Sequence, residues 1–222
     1  MNCTLLLPLL SLAALLAAGW TIREYARHPP RRTVIFICKP LSTILILAVA
    51  ALPGTLLRNP YASAVGIGLL FSIFGDIWEM FPRRHFFKAL GCFLVTHVCY
   101  AAAFLTDMPE SGSWWPLLPF GAFSAAFWAY LRPGLPPVMK TAVGVYAAVI
   151  AVMAGLAVRR LAAGFSIGAL SAAAGALLFL ASDAALAVNR FRRPFRAAQT
   201  VILSSYFAGQ WLIALSVGLR DM

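Results

Sequence analysis

The sequence predicts an all-α fold, an integral membrane bundle of eight transmembrane helices with both termini on the non-cytoplasmic side. Three observations carry this expectation. Of 222 residues, 62% are hydrophobic and 11% charged, whereas a soluble domain is about a quarter charged. The apolar residues fall in blocks close to the roughly 20 residues that a helix needs to cross a bilayer. The Lys and Arg residues gather in short segments at alternate block ends, the pattern that orients helices in a membrane.

Each span has its own boundaries. The first covers 4–22. Its apolar block, Thr4 to Trp20, ends in a cleavage-like Ala17-Ala18-Gly19, but the first basic residue, Arg23, follows the block. A signal peptide carries its positive charge in front, so a retained helix is expected. RHPPRR separates this span from the second, 33–52, and PGTLLRNP separates the second from the third, 61–81. FPRRH leads into the fourth, 86–106. The acidic segment DMPESGS precedes the fifth, 115–131, and RPGLPP the sixth, 138–158. VRR leads to the seventh, 162–189, and RFRRP to the eighth, 196–218. No gap has room for an extramembrane domain, so residues 1–222 read as a single transmembrane domain. Gly164-xxx-Gly168, continued by Ala172 and Ala176, reads as a close helix-packing face.

The loops set the orientation. Thirteen Lys and Arg residues lie at the first, third, fifth and seventh loops, against four at the even loops and the C-terminal tail. The fourth loop carries Asp107 and Glu110. The odd loops are therefore expected to face the cytoplasm. The net charge of +11 belongs to this pattern and to contact with membrane lipids; no basic stripe with interleaved aromatics points to nucleic acid. Cys3, Cys38, Cys92 and Cys99 lie in or beside apolar blocks without a CxxC pair and read as small buried hydrophobes. Short loops suit a bacterial inner membrane better than the endoplasmic reticulum. Oligomeric state is not legible.

The polar residues inside the spans are not scattered in depth. Measured from the expected cytoplasmic end, Asp76 lies about 8 Å deep, and Asp183 and Lys39 about 9 Å. Tyr146 follows at about 12 Å, Tyr206 at about 15 Å, His97 at about 16 Å and Gln210 at about 21 Å. They lie near the ends of odd helices and the starts of even ones, which fits one polar cavity open to the cytoplasm. A charge in lipid costs about 2.5–3.5 kcal/mol on insertion scales, so such residues usually face a bundle interior or wet cavity.

Each candidate also has a structural explanation. Lys39 can serve as a buried packing partner of Asp76. Glu79, one or two residues from the interface, can reach the headgroups. His97 and Tyr100 share a helix face. Tyr146, Tyr206 and Gln210 can act as interhelical hydrogen-bonders. Ser182 and Asn189 gain interest only from Asp183 nearby. No Walker motif or GxSxG elbow occurs. Of the three histidines, His28 and His85 lie in loops, which leaves little for a His-rich metal site.

FSIFGDIWEM (71–80), CFLVTHVCYAAAF, Lys39-Pro40, LFLASDAALAVNRF and SSYFAGQWLIALS together resemble the membrane lysoplasmalogenase family, the YhhN-like proteins. The resemblance runs over the second to eighth spans. It implies an eight-helix hydrolase that cleaves the vinyl ether of 1-alkenyl lysophospholipids to a fatty aldehyde and a glycerophospho head group. By position, Asp76 and Asp183 would be the catalytic pair, and no cofactor would be needed. Lys39, His97, Tyr100, Tyr146, Ser182, Asn189, Tyr206 and Gln210 are the supporting or substrate-binding candidates. Glu79 departs from the pattern, since the family is expected to carry an apolar residue there; the resemblance gives it no role.

Two carboxyls suit this chemistry. Vinyl ether hydrolysis protonates the alkene carbon remote from oxygen and leaves an oxocarbenium ion, as in glycoside cleavage. One acid must be protonated and the other ionised, with Lys39 holding the ionised one or binding phosphate. The expectation is that the two aspartates meet closely enough to share a proton. Asn189, Arg190, Arg192 and Arg193 can meet the phosphate or simply anchor the loop. Two alternatives remain open: a metal-dependent lipid amidase or esterase with Asp76, His97 and Asp183 as ligands, and a small proton-coupled lipid transporter.

Overall fold

The computed structural model describes residues 3–27, 29–108 and 112–220. His28 and Glu110, and the side chains of Cys3, Arg83 and Arg84, lie outside the described residues. The described chain is helical: α1 Cys3–Ala26, α2 Arg32–Ala51, α3 Pro60–Glu79, α4 Pro82–Thr106, α5 Leu117–Leu131, α6 Pro137–Ala163, α7 Ile167–Phe191 and α8 Ala198–Gly218, with a 3₁₀ turn at Arg132–Gly134. Local chemistry sets several starts. Asn59 accepts from the Ala62 N–H ahead of α3, and Ser166 accepts from the Ala169 N–H ahead of α7. These bonds satisfy donors that a helix N-terminus otherwise leaves free. Proline opens α3, α4 and α6, where its missing N–H costs nothing.

Among the described residues seven helices are long and apolar enough to cross a membrane, and the protein is an integral, multi-pass membrane protein. The expected fifth span is shorter than predicted. α5 has 15 residues, about 22 Å at 1.5 Å per residue against a hydrocarbon core of about 30 Å. The Trp114–Pro116 segment, counted in that span, forms a bend and turn instead.

The helices pack in the order α1–α2–α3–α4–α6–α7–α8, with α8 closing back on α1 and reaching inward to α2 and α3. α5 leans mainly on α6. Val65, Leu69, Phe104, Met153, Phe179 and Ile213 fill the core. Leu5, Leu9, Leu12 and Leu16 form an exposed stripe on α1, at the spacing of one helical face; lipid is the solvent for that face.

α7 and α8 approach at small residues. A Cβ on Gly175 would stand 2.7 Å from the Gly209 carbonyl oxygen, and one on Gly209 would stand 2.8 Å from the Gly175 oxygen. The predicted packing face is therefore present from Gly168 onward. Gly164 is not part of it: it caps the C-terminus of α6, because α7 starts at Ile167 behind the Ser166 cap.

α6 runs past its expected end at 158 and takes in Arg159 and Arg160, which the sequence placed in a loop. Both are buried. Arg160 pairs with Asp107, which also holds Arg220 at 2.6 Å. Arg159 donates to the Gly112 carbonyl at 3.1 Å and stacks on Trp114 at 3.9 Å. These contacts fasten α4, α6 and α8 at the end of the bundle opposite the odd loops. Cys38, Cys92 and Cys99 are free thiols and only half-buried, so they are less enclosed than expected.

Candidate active site

The ends of the odd helices and the starts of the even ones surround a cavity of about 300 Å³. All eight helices contribute to its wall. Its depth is apolar, with Leu90, Phe93, Phe127, Ile150 and Leu180 among the lining residues. Its polar wall groups are Tyr25, Lys39, Glu79, Tyr146 and Asp183, and Asn189, Arg190 and Gln199 stand toward the mouth. Arg190 and Gln199 are exposed, so the cavity opens at this end.

Two polar clusters meet the cavity. In the first, the Lys39 ammonium pairs with the Glu79 carboxylate and lies 3.5 Å from Asp76 Oδ1. Asp76 Oδ2 accepts a 2.6 Å hydrogen bond from the Thr43 hydroxyl. Helix spacing builds this cluster. Lys39 and Thr43 are four apart on α2, and Asp76 and Glu79 three apart on α3, so two facing stripes carry the four groups. Lys39 is 1% exposed and Asp76 fully buried, while Glu79 is 32% exposed. Burial of a lysine is tolerable only with such partners. Asp76 is absent from the cavity wall; it sits behind Lys39.

In the second cluster, Tyr146 donates to Asp183 Oδ2 at 2.6 Å, and His97 Nε2 stands 3.6 Å from the same oxygen. The Asp183 side chain is 14% exposed and lines the cavity. The His97 ring is fully buried, edge-on to Phe179 at 4.6 Å and to Tyr146 at 5.2 Å.

The remaining candidates knit the helices. Tyr100 donates to Gln210 Oε1, and Gln210 Nε2 donates to Ser72 at 2.6 Å, a buried chain across α4, α8 and α3. Ser182 donates to the Ile202 carbonyl at 2.8 Å and ties α7 to α8. Asn189 Oδ1 accepts from the Phe195 N–H at 3.3 Å and shapes the turn after α7. Tyr206 packs edge-on against Phe179 at 5.3 Å, with its hydroxyl buried. Of the loop arginines, Arg190 reaches the cavity wall, with its guanidinium 3.8 Å over Phe86, while Arg192 lies over Tyr130.

The structure thus joins Lys39 to Asp76, Asp183 to Tyr146 and His97, and Tyr100 to Gln210. It does not join the two aspartates. No hydrogen bond or ion pair between them occurs among the described residues, and Phe179 is wedged between His97, beside Asp183, and Tyr206. The expected shared proton is replaced by two separately anchored acids. Thr43, Tyr25 and Gln199 escaped the sequence reading, and Glu79 was set aside. The four-residue spacing of Thr43 from Lys39 and the three-residue spacing of Glu79 from Asp76 were the available signals. Among the described residues no three His, Cys, Asp or Glu side chains converge as metal ligands, so Asp76, His97 and Asp183 do not form the donor set that the metal-dependent alternative requires.

The cavity wall of this helical membrane protein combines carboxylates, a lysine and an apolar floor. The YhhN family model matches residues 34–217, and the chain belongs to that family. It is 36% identical over 185 residues to lysoplasmalogenase TMEM86A of Bos taurus, which covers 81% of this chain and 75% of that protein. Against lysoplasmalogenase TMEM86A of Homo sapiens the identity is 35% over 192 residues, with coverage of 81% and 75%. Against the uncharacterized membrane protein YhhN of Escherichia coli O157:H7 it is 30% over 215 residues, covering 93% of this chain and 97% of that one. No solved structure matches the chain.

Proposed function

We propose that this protein is a membrane hydrolase that cleaves the vinyl ether of 1-alkenyl lysophospholipids, releasing a fatty aldehyde and a glycerophospho head group. The observation that carries this reading is Asp183 on the wall of a largely apolar cavity, with Tyr146 bonded to it and Lys39 and Glu79 lining the same cavity. A single hydrocarbon chain fits the apolar depth. The zwitterionic head meets Asn189, Arg190 and Gln199. The names of the mammalian relatives point the same way. The chain works as one transmembrane domain, with its mouth toward the cytoplasm and both termini on the other side.

The chemistry follows from the carboxyls. Among the described residues Asp183 has no Lys or Arg partner, and it acts as the acid, giving its proton to the alkene carbon remote from the ether oxygen. The positive charge then sits on the carbon beside oxygen. The Lys39 cluster sets two carboxyls, Asp76 and Glu79, against one ammonium and stabilises that cation, as carboxylates do in glycosidases. Water adds, and the hemiacetal collapses to aldehyde and alcohol. Tyr146 and His97 hold Asp183 in place, while Tyr100, Ser182, Tyr206 and Gln210 keep the surrounding helices in register.

The test is aldehyde release by the purified protein given 1-alkenyl or 1-acyl lysophospholipid. Aldehyde from the alkenyl lipid, with the acyl lipid untouched, is expected. Hydrolysis of the acyl lipid alone overturns the reading. Asp183→Asn should slow turnover by about a hundredfold or more, the usual scale for loss of a general acid.

A further inference from the structure

We propose that Glu79 is the general base that activates the attacking water, and that Asp76 is a positioning residue that acts through Lys39. This rests on the vinyl-ether reading above. The two acids of α3 differ in what they can touch. Glu79 lines the cavity and is about one-third exposed, whereas Asp76 has no exposed surface and no place in the cavity wall. Water held against the substrate reaches the Glu79 carboxylate and not the Asp76 one.

Of the α3 acids, Glu79 is the one that lines the cavity together with Asp183 and Tyr146. Asp183 stands on α7 and Glu79 on α3, so the two carboxyls approach a bound substrate from different walls. A water between acid and base, approached from two sides, is the arrangement that inverting glycosidases use. Lys39 pairs with Glu79 and orients it. Asp76, fixed by the Thr43 hydroxyl at 2.6 Å, holds Lys39 from behind.

The proton inventory closes with these two groups. Asp183 donates its proton to the alkene carbon and becomes a carboxylate. Water oxygen bonds to the oxocarbenium carbon as Glu79 takes one of its protons. The hemiacetal O–H proton passes to Asp183 while the C–O bond to glycerol breaks, and Glu79 returns its proton to the leaving glycerol oxygen. The products are one aldehyde and one alcohol, and both carboxyls regain their starting states.

Chemical rescue tests the assignment. Glu79→Ala opens a gap on the cavity wall that formate can fill; Glu79→Gln keeps the shape and removes the base. Both variants should lose about a hundredfold or more in kcat on the 1-alkenyl lipid, with KM changed by no more than a few-fold. Sodium formate should raise the Glu79→Ala rate about tenfold or more and leave Asp76→Ala unaffected, because Asp76 does not line this cavity. Retention of more than about a third of the wild-type kcat by either Glu79 variant, or a Glu79→Ala rate that formate does not raise, overturns the proposal while the parent reading stands on wild-type aldehyde release. Wild-type protein that releases no aldehyde overturns the parent reading and this assignment together. If Glu79→Ala fails to fold, the kcat of Glu79→Gln decides.

Discussion

Lys39 is the residue on which the polar architecture turns. It is buried between Asp76 and Glu79, and its removal leaves Asp76 as an isolated charge with no access to solvent. Breaking a buried pair by deleting one partner typically costs about 3–5 kcal/mol. Lys39→Met should therefore lower the detergent-solubilised unfolding midpoint sharply. Adding Asp76→Asn should restore part of the loss, since the residual charge is then gone and contacting sites are not additive. Thermal unfolding of the single and double variants checks both statements; an unchanged midpoint in Lys39→Met contradicts the buried-pair reading. At this scale the sequence was informative about which residues mattered and less so about how they paired. Asp76, Asp183 and Lys39 stood out because ionisable groups in apolar runs are rare. Tyr146 with Asp183 was invisible as a pair because the two lie 37 positions apart, and depth alone does not say which face of a helix meets which neighbour.

Among the helices, α7 and α8 approach most closely, backbone against backbone at Gly175 and Gly209. A larger residue there has nowhere to go, since the atoms in the way are carbonyl oxygens rather than flexible side chains. Gly209→Val should destabilise the protein by about 1–3 kcal/mol or more. Gly91→Val, at an exposed helical position where an added Cβ meets open space, should be close to neutral. Comparison of the two unfolding midpoints tests whether this contact holds the bundle together; equal midpoints refute it. Helix number and order were legible from the apolar blocks and the proline-rich breaks between them. Ends were less so. α6 continues through Arg159 and Arg160 because Asp107, Gly112 and Trp114 supply partners for their guanidinium groups, and such tertiary compensation leaves no local mark. α5 falls short because Trp114–Pro116 turns before the helix begins.

On the scale of the whole molecule, the alternation of polar residues between ends of odd helices and starts of even ones announced a single cavity, and one cavity collects Lys39, Glu79, Tyr146 and Asp183. What periodicity and depth did not reveal is that Asp76 stands behind that wall and Glu79 on it. The two are one helical turn apart; Lys39 contacts both, while Thr43 bonds Asp76 alone and Glu79 reaches the cavity from the end of α3. The central claim, that this cavity protonates an alkene carbon, makes a statement about atoms of the product. Turnover of 1-alkenyl lysophospholipid in D₂O, with immediate trapping of the aldehyde and mass spectrometry, measures it directly. One deuterium on the carbon next to the aldehyde carbonyl, formed about a hundredfold more slowly with Asp183→Asn, is the predicted result; aldehyde released without deuterium at that carbon would contradict the account.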